Sequence, residues 1–293
     1  MTNLICFGLG YSADHYVGQF GDRFERIVGT VRGAERAALL NAHFGGGRLR
    51  AFAFDGTSPT PEVKRAIAEA DAALISIPQT QSGDPVLAAF GDALTAAKHL
   101  HTVVYLSTVG VYGDHAGAWV DEQTPPRPQT PRSRERLAAE QAWQDFAAHS
   151  GVRVAILRLA GIYGPGRNAF TQIARGDTRR IVKPGQVFNR IHVNDIAQAI
   201  DAALAQKSSG VFNVADDEPC PPGDPLVFAA QLLGRPPPPE ISFDEAAPGM
   251  SPLALSFWQD CRRVRNDKLK RKLGVTLLYP TYREGLRALM TAP

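Results

Sequence analysis

The sequence predicts a doubly wound α/β fold built on a parallel sheet, with a smaller lobe in the second half of the chain. Short apolar runs alternate with helical patterns through residues 1–160, and several of these runs are continuous rather than alternating. Continuous apolar strands are typical of a parallel sheet that helices cover on both faces. The predicted strands are Leu4–Phe7, Arg26–Val31, Leu49–Phe54, Ala72–Ile77, Thr102–Ser107 and Val152–Leu159.

Helical patterns fill the gaps between these strands. In the last of them, apolar residues around Trp143 recur at the spacing of one buried helix face. Strands that alternate with helices at this spacing support the doubly wound topology. The predicted helices of this part are Ala34–Ala42, Glu62–Ala70, Val86–Lys98 and Ser133–His149.

The second half of the chain is less regular and is predicted to pack on the first. Asn194 and Gly234 mark helix ends, because Asn is favoured at an N-cap and Gly just beyond a C-terminus. We divide the chain into residues 1–163 and an interleaved lobe of residues 164–293, with the strand near 211–214 as a candidate to return to the main sheet. The predicted elements are the helices Asn194–Gln206, Pro225–Leu233, Asp267–Leu273 and Tyr282–Met290 and a strand at Val211–Val214.

Composition argues against several classes of protein. Of the 293 residues, 44% are apolar and 21% are charged, which is ordinary for a globular protein. The net charge of +3 is small and the arginines are scattered, so we expect no nucleic-acid partner. No apolar run approaches the roughly 18 residues of a membrane helix, so we expect no membrane partner. Cys6, Cys220 and Cys261 form no metal-binding pattern, which favours a reducing cytoplasm and no bound metal.

A glycine-rich loop follows the first predicted strand. Gly8, Gly10 and Ala13 form a GxGxxA pattern that opens a helix. Gly8 permits the tight turn, Gly10 lets the backbone approach a pyrophosphate, and Ala13 lets helix and strand pack closely. The phosphates would meet free N–H groups at the positive end of the helix. Because the pattern occurs inside a βαβ unit, it predicts an NAD(P)-binding domain in residues 1–163; the alternative is a plain strand-to-helix turn.

The end of the second predicted strand favours NADP over NAD. A site selective for NAD usually carries an acidic residue there, whereas this chain has Arg32. A guanidinium can bind a 2′-phosphate, so we expect NADP as the cofactor; the alternative for Arg32 is a solvated loop cation. Asp55 is a candidate for the adenine amine or else a turn residue before Gly56. The predicted cofactor-binding residues are Gly8, Gly10, Tyr11, Ser12, Ala13, Arg32, Asp55, Ile77, Pro78 and Ser107.

Four further segments resemble the extended short-chain dehydrogenases/reductases of the epimerase/dehydratase branch. These segments are residues 105–113 (YLSTVGVYG), 157–168 (LRLAGIYGPGRN), 190–195 (RIHVND) and 210–215 (GVFNVA). They occur in the family's order and span almost the whole chain. The resemblance implies a seven-stranded Rossmann core with a small C-terminal substrate lobe. It also implies a homodimer contact that would include Val86–Lys98 and Ser133–His149.

The resemblance assigns a catalytic role to Thr108, whose hydroxyl would hydrogen-bond a substrate oxygen beside the nicotinamide. The alternative is a strand-end threonine that satisfies local backbone. The family's proton donor is a tyrosine followed four residues later by a lysine, and this chain has no such pair. Arg132 and Arg136 stand at those positions, and a guanidinium cannot shuttle a proton because its pKa exceeds about 12. The chain therefore resembles an atypical member of the superfamily, and its GxGxxA loop also departs from the usual TGxxGxxG.

Arginines on the substrate side predict an anionic small-molecule ligand. Arg132 and Arg136 are one helical turn apart, and converging guanidiniums favour a phosphorylated or carboxylated compound. Alternatively, Arg132 and Arg136 belong to a solvated helix start paired with Glu135 and Glu140. The resemblance places five residues on the substrate side, with Tyr163 as a pocket wall and His192 favoured as a helix-entry residue. The predicted substrate-binding residues are Tyr163, Arg167, Asn168, Arg190 and His192.

Two functions are open from the sequence. The first is an NADP-dependent oxidoreductase or epimerase-like enzyme that acts on a nucleotide sugar or another anionic carbonyl compound. In it, Thr108 orients the carbonyl group, and water or another side chain such as Asp114 or His115 supplies the proton. The second is a non-catalytic NAD(P)-binding redox sensor or regulatory protein. The missing Tyr-Lys pair favours the second function, and the retained Thr108 favours the first.

Overall fold

The computed structural model describes residues 2–44 and 47–291 of the protein. The strands in this part of the chain are β1 Thr2–Phe7, β2 Phe24–Val31, β3 Leu49–Ala53, β4 Ala72–Ile75, β5 Thr102–Thr108, β6 Trp119–Val120, β7 Arg153–Leu159, β8 Gly161–Tyr163, β9 Arg180–Val182, β10 Arg190–His192, β11 Gly210–Val214, β12 Glu240–Ser242 and β13 Arg263–Val264. The α-helices are α1 Tyr11–Phe20, α2 Ala34–Phe44, α3 Pro61–Glu69, α4 Pro85–Ala96, α5 Pro131–Ser150, α6 Ala169–Ile173, α7 Val193–Ala205, α8 Asp224–Leu232, α9 Phe243–Ala246, α10 Pro252–Gln259, α11 Asp267–Leu273 and α12 Tyr282–Thr291.

The described residues form a central parallel sheet of seven strands in the order β11-β7-β5-β4-β1-β2-β3. This order confirms the predicted doubly wound fold. After β3 the chain returns to the other side of β1 and adds β4 there, so the strand order reverses between β1 and β4. In open α/β sheets, the crevice at the carboxyl ends of the strands at such a reversal is where ligands bind. The strand predicted near 211–214 is β11, and it extends the main sheet beside β7.

Apolar side chains cover both faces of this sheet. Alternate residues of β5 point to opposite faces, with Val104 and Leu106 in one core cluster and Val103 and Tyr105 in the other. Helices α1 and α7 close the first cluster, and α3, α4 and α5 close the second. Burial on both faces explains why the strands read as continuous apolar runs.

Local capping explains where several helices begin and end. The carboxylate of Asp84 accepts from the backbone N–H groups of Val86 and Leu87 at the start of α4. The predicted C-terminal glycine of α8 is confirmed, since Gly234 has a φ of +64° in the left-handed region. The predicted N-cap of α7 at Asn194 is wrong. His192 caps that helix because its ring nitrogen accepts from the Asn194 N–H.

The second half of the chain contributes short strand pairs and a small apolar cluster formed by α6, α8 and α12. The pairs are β8 with β10, β9 with β12, and β6 with β13. These strands were not predicted, because strands of two or three residues are too short to show a hydrophobic period. Helix α10 was not predicted either. Among the described residues, no helix combines the length and apolar character that a membrane span requires.

Candidate functional site

The glycine loop after β1 has the geometry of a phosphate-binding turn. Gly8 adopts a φ of +91°, and a Cβ there would lie 2.9 Å from the Ile77 side chain. Gly10 is the N-cap of α1 and provides no side-chain cap, so the first N–H groups of the helix are not closed off by a side chain. A Cβ at Gly10 would meet no heavy atom within 4 Å. The open backbone at Gly10 and the close packing at Gly8 fit a pyrophosphate group.

The rest of the predicted cofactor set lies along the same edge of the sheet. Ser12 and Ala13 are buried in the first turn of α1, and Pro78 is exposed just beyond β4. The fourth strand is two residues shorter than predicted, since β4 ends at Ile75 and leaves Ile77 to pack against Gly8. These positions line the crevice where the strand order reverses.

Arg32 and Asp55 differ in how free their side chains are. Arg32 is exposed one residue beyond β2 and makes no ion pair with any described residue. One carboxylate oxygen of Asp55 accepts from the backbone of Thr57 at 2.8 Å and of Ser58 at 3.0 Å. These bonds hold the pKa of Asp55 below its ordinary value. These bonds favour the second interpretation of Asp55, a turn residue before Gly56. The side chain of Arg32, in contrast, is free to bind an anion.

Tyr11 links the glycine loop to the second half of the chain. Its hydroxyl donates to the Pro165 carbonyl at 3.0 Å, and its ring lies 5.8 Å from the Arg167 guanidinium. Burial raises the pKa of Tyr11, while the charge of Arg167 lowers it less. The predicted cofactor residue Tyr11 and the predicted substrate residue Arg167 thus contact each other, which brings the two parts of the site together.

A cavity of about 1000 Å³ lies between the carboxyl ends of β5 and β7 and the lobe. Thr108 contributes to its wall, together with residues from α5, the β8–α6 segment, β9, β10 and α10. Most of the residues predicted for catalysis and substrate binding lie in this wall. They are Thr108, Arg132, Arg136, Tyr163, Arg167, Asn168 and Arg190, and the predicted cofactor residue Ser107 lies beside them.

The Thr108 hydroxyl serves the local backbone and also faces the cavity. Its oxygen accepts from the Gly110 N–H at 3.1 Å, which leaves its proton available to a ligand. The Ser133 hydroxyl lines the cavity nearby, and both hydroxyl oxygens lie within 3.5 Å of the position that a Cβ on Gly110 would take. Ser133 was not predicted from the sequence, although it directly follows Arg132. Gln79, whose amide donates to the Arg132 carbonyl at 3.0 Å, was not predicted either.

Arg136 is buried, which contradicts its interpretation as part of a solvated helix start. The residue is 9% exposed, and its guanidinium donates to the Tyr105 hydroxyl at 2.9 Å and the Leu106 carbonyl at 3.0 Å. Helix α5 packs on the sheet with this side chain inward, because its position faces β5. Arg132 is exposed and, like Arg136, makes no ion pair with a described residue.

Glu140 pairs with Arg158 and not with the arginines at the start of α5. The two carboxylate oxygens accept from the Arg158 guanidinium, with the closest approach at 2.7 Å. The Ser107 hydroxyl donates to the same carboxylate at 2.5 Å. The Ser107 hydroxyl therefore holds the strand end to α5, while the residue, which was predicted to bind the cofactor, also lines the cavity.

Two predicted substrate residues serve the fold. Burial raises the pKa of Tyr163, and its hydroxyl donates to the Thr281 carbonyl at 3.4 Å, so it acts as a wall. His192 lies behind Tyr163, with ring centroids 5.1 Å apart, and is not part of the cavity wall. Burial lowers the pKa of His192 to about 4, so the ring is neutral at pH 7. The prediction that His192 binds substrate is wrong, because the capping of α7 holds the ring outside the cavity.

Asn168 and Arg190, two further predicted substrate residues, have side chains engaged by nearby groups. Asn168 caps α6, and its amide donates to the Gly164 carbonyl at 2.8 Å. Arg190 donates to the Phe188 carbonyl at 3.2 Å and the Cys220 sulfur at 2.9 Å. Asp114 and His115, the candidates for proton supply, bond backbone groups and do not line the cavity.

Positive charge dominates the cavity. Its wall contains two aspartates, Asp177 and Asp260, and only Asp260 forms an ion pair there, with Arg262 at 3.0 Å. The remaining arginines of the wall have no ion-pair partner within residues 2–44 and 47–291. No sequence pattern identified Arg175, Arg179 or Arg262, since the first two come from the segment between α6 and β9 and the third follows α10, nearly 90 residues later in the chain. The arginines of the wall are Arg132, Arg136, Arg167, Arg175, Arg179, Arg190 and Arg262.

Comparison with known proteins identifies the family of this site. The sequence profile of the NAD dependent epimerase/dehydratase family matches residues 87–215. A functionally unknown conserved protein from Silicibacter pomeroyi DSS is 44% identical, with a TM-score of 0.88 over 99% of this chain and 98% of that protein. The UDP-glucuronic acid 4-epimerase of Bacillus cereus, solved with NAD, is 15% identical with a TM-score of 0.74 over 98% of this chain and 96% of that protein, and it shares the fold.

A relative from Streptomyces sp, named 3-diazoavenalumate denitrifying reductase, is 29% identical over 191 residues. The match covers 60% of this chain and 58% of the length of that relative. The profile match includes Thr108, and the full-length relative shares the fold of the described residues. The chain belongs to the NAD-dependent epimerase/dehydratase family, whose members depend on NAD(P).

Proposed function

We propose that the chain is an NADP-dependent oxidoreductase that acts on an anionic carbonyl compound. The observation that carries this proposal is the cavity beside Thr108, whose wall holds seven arginines and two aspartates. Guanidinium groups bind carboxylate and phosphate oxygens in a bidentate manner, and their attraction strengthens in a partly desolvated site. The name of the Streptomyces relative, a reductase, agrees with this class of reaction.

The preference for NADP rests on Arg32. Its exposed guanidinium has no ion-pair partner among the described residues and follows β2 directly, at the edge where the ribose of a bound dinucleotide would lie. A 2′-phosphate there would gain a charge-assisted hydrogen bond. When bound, the cofactor supplies or accepts the hydride of the reaction.

Thr108 and Ser133 are suited to handle the substrate oxygen. The Ser133 hydroxyl accepts from the Thr130 hydroxyl at 2.9 Å, so its own proton is free to point into the cavity. We infer that Ser133 donates this proton to the oxygen as the carbonyl takes up the hydride and becomes an alcohol. Thr130 passes its own proton to Ser133, and solvent in the cavity, which Thr130 also lines, returns a proton to Thr130. The Arg136 guanidinium in the same wall would stabilise the negative charge that develops on the oxygen. In this proposal the hydroxyls of Thr108 and Ser133 take the place of the family's tyrosine.

The cofactor preference is tested by titrating NADPH and NADH by fluorescence. Arg32→Ser should weaken NADPH binding by about 10-fold to 100-fold, which corresponds to the loss of one charge-assisted contact, and leave NADH binding almost unchanged. Arg65→Ser, on the exposed face of α3, is the control. Tighter binding of NADH than of NADPH by the unaltered protein would contradict the preference.

Catalysis is tested with deuterated NADPH and a panel of 2-oxo acids and phosphorylated ketones. Deuterium should appear in the product, and Ser133→Ala should lower kcat by about 100-fold or more with NADPH affinity unchanged. Thr95→Ala, an exposed hydroxyl on α4, is the control. Cofactor binding without deuterium transfer would favour the non-catalytic sensor.

A further inference from the structure

Two large apolar side chains of α10 are exposed towards the cavity. Leu253 and Phe257 are 49% and 61% exposed, and both belong to the cavity wall. They are four residues apart, which places them one above the other on the same face of the helix. A leucine and a phenylalanine on one face therefore form an apolar strip along the arginine-lined cavity, which we call the α10 strip.

The fold does not need these two side chains to hold α10 in place. The helix is held to the lobe by Trp258, whose ring packs against Phe188 and Phe243 at centroid distances of 5.2 and 5.3 Å. The Lys183 ammonium donates to the Trp258 carbonyl at 2.5 Å, and the Gln186 amide donates to the Asp260 carbonyl at 2.8 Å. Since α10 is anchored through these groups, the α10 strip remains available to a ligand.

The same cavity wall holds exposed arginines with no ion-pair partner. Arg132, Arg175 and Arg179 are exposed and form no ion pair within the part of the chain that the structure describes. An inorganic anion would satisfy the charge and leave the apolar strip in water. A neutral apolar compound would cover the strip and leave the guanidiniums without a partner. Only a compound with both parts satisfies both surfaces.

We propose that the substrate of this cavity is an amphiphilic anion. Its carboxylate or phosphate group binds the arginines, and an apolar body the size of an aromatic ring lies on Leu253 and Phe257. This inference rests on the proposed function for the identity of the cavity as the substrate site, and it narrows the substrate from any anionic carbonyl compound to one with an apolar body.

The test uses 8-anilinonaphthalene-1-sulfonate, a fluorescent amphiphilic anion, titrated into the full chain with and without saturating NADP. Phe257→Ala and Leu253→Ala should each weaken binding of the probe about 5-fold to 10-fold, because each removes apolar contact area. Arg179→Gln should weaken it to a similar extent. The matched controls Leu278→Ala, at 51% exposure outside the cavity, and Arg271→Gln, exposed on α11, should leave binding unchanged.

Competition against the bound probe separates the two parts of the ligand. Cinnamate and phenyl phosphate should displace it at concentrations at least tenfold lower than acrylate and inorganic phosphate, and the better of the two aromatic competitors identifies the anionic group. Equal potency of aromatic and small anions, or probe binding that Phe257→Ala and Leu253→Ala leave unchanged, would overturn the proposal. Because this assay needs no turnover, it stays informative if deuterium transfer fails. If the protein turns over small aliphatic 2-oxo acids and an aromatic group gives no gain in rate, only the amphiphilic preference is overturned and the proposed function stands.

Discussion

The buried charges beneath the sheet and the charges of the cavity are arranged in opposite ways. Behind β5, the Glu140 carboxylate and the Arg158 guanidinium are 1% and 5% exposed and bond each other at 2.7 Å. In the cavity, Arg132, Arg175 and Arg179 are exposed and have no carboxylate partner among the described residues. Charge that is paired inside the protein stabilises the fold, whereas charge left unpaired at a cavity is available to a ligand.

The cofactor crevice and the cavity also offer different groups to their ligands. The cofactor crevice offers mainly backbone, at Gly8, Gly10 and the start of α1. The cavity offers side chains from segments as distant in sequence as Thr108 and Phe257. Substitutions that separate stability from binding therefore test this contrast directly.

Glu140→Gln should produce the largest effect. It leaves the Arg158 guanidinium buried without its counter-charge, and we expect the free energy of unfolding to fall by about 3–5 kcal/mol, measured by urea denaturation. Glu69→Gln breaks the exposed pair with Arg26 and should cost less than about 1 kcal/mol. Equal losses in the two variants would mean that burial does not distinguish these pairs.

His192→Asn tests a buried titratable group that forms no ion pair with a described residue. The pKa of His192 is about 4 in the folded protein and about 6.5 when unfolded, so its stabilising contribution is present above pH 6.5 and is lost as the pH falls towards 4. Asn keeps an N-cap but does not titrate. The free energy of unfolding of the variant minus that of the unaltered protein should be about 2 kcal/mol more positive at pH 5 than at pH 7. Asp195, whose pKa burial raises to about 6, titrates in both proteins and cancels. A stability difference that is constant between pH 7 and pH 5 would contradict this assignment.

Gly8→Ala and Gly10→Ala should separate fold from cofactor binding. At Gly8 the φ of +91° and the contact with Ile77 oppose a side chain, so we expect a loss of about 1–2 kcal/mol of stability. Gly10 has a φ of −97° and open space around it, so Gly10→Ala should fold normally. Its methyl group would instead keep phosphate from the backbone and weaken NADPH binding about tenfold, which corresponds to about 1.4 kcal/mol. Normal NADPH affinity in Gly10→Ala would place the phosphates elsewhere.

Arg179→Gln should have the smallest effect on stability. Its side chain forms no ion pair in the described chain, so the Tm should change by less than about 2 °C, as seen by calorimetry. Its effect should appear in anion binding at the cavity and weaken as salt is added. A large drop in Tm would show that the arginine supports the fold after all.

The sequence predicted the sheet and the glycine loop because both depend on local signals. Apolar runs such as that of β5 reflect burial on two faces, and the GxGxxA pattern reflects a turn closed within six residues. Thr108 was found through the resemblance of its segment to a family motif. Ser133 was missed because a serine in the first turn of a helix has no distinguishing pattern.

The sequence by itself determined the doubly wound fold class, the position of the glycine loop after the first strand and the absence of the Tyr-Lys pair. Only the tertiary structure decided which arginines face a ligand. Arg158 is buried and bonded to Glu140, and Arg136 is buried against β5 at the cavity wall, whereas Arg175 and Arg179, from the segment between α6 and β9, are exposed in that wall. The physical reason is that helix and strand periods depend on neighbours in the chain, whereas the pairing of a charge depends on groups that folding brings from elsewhere.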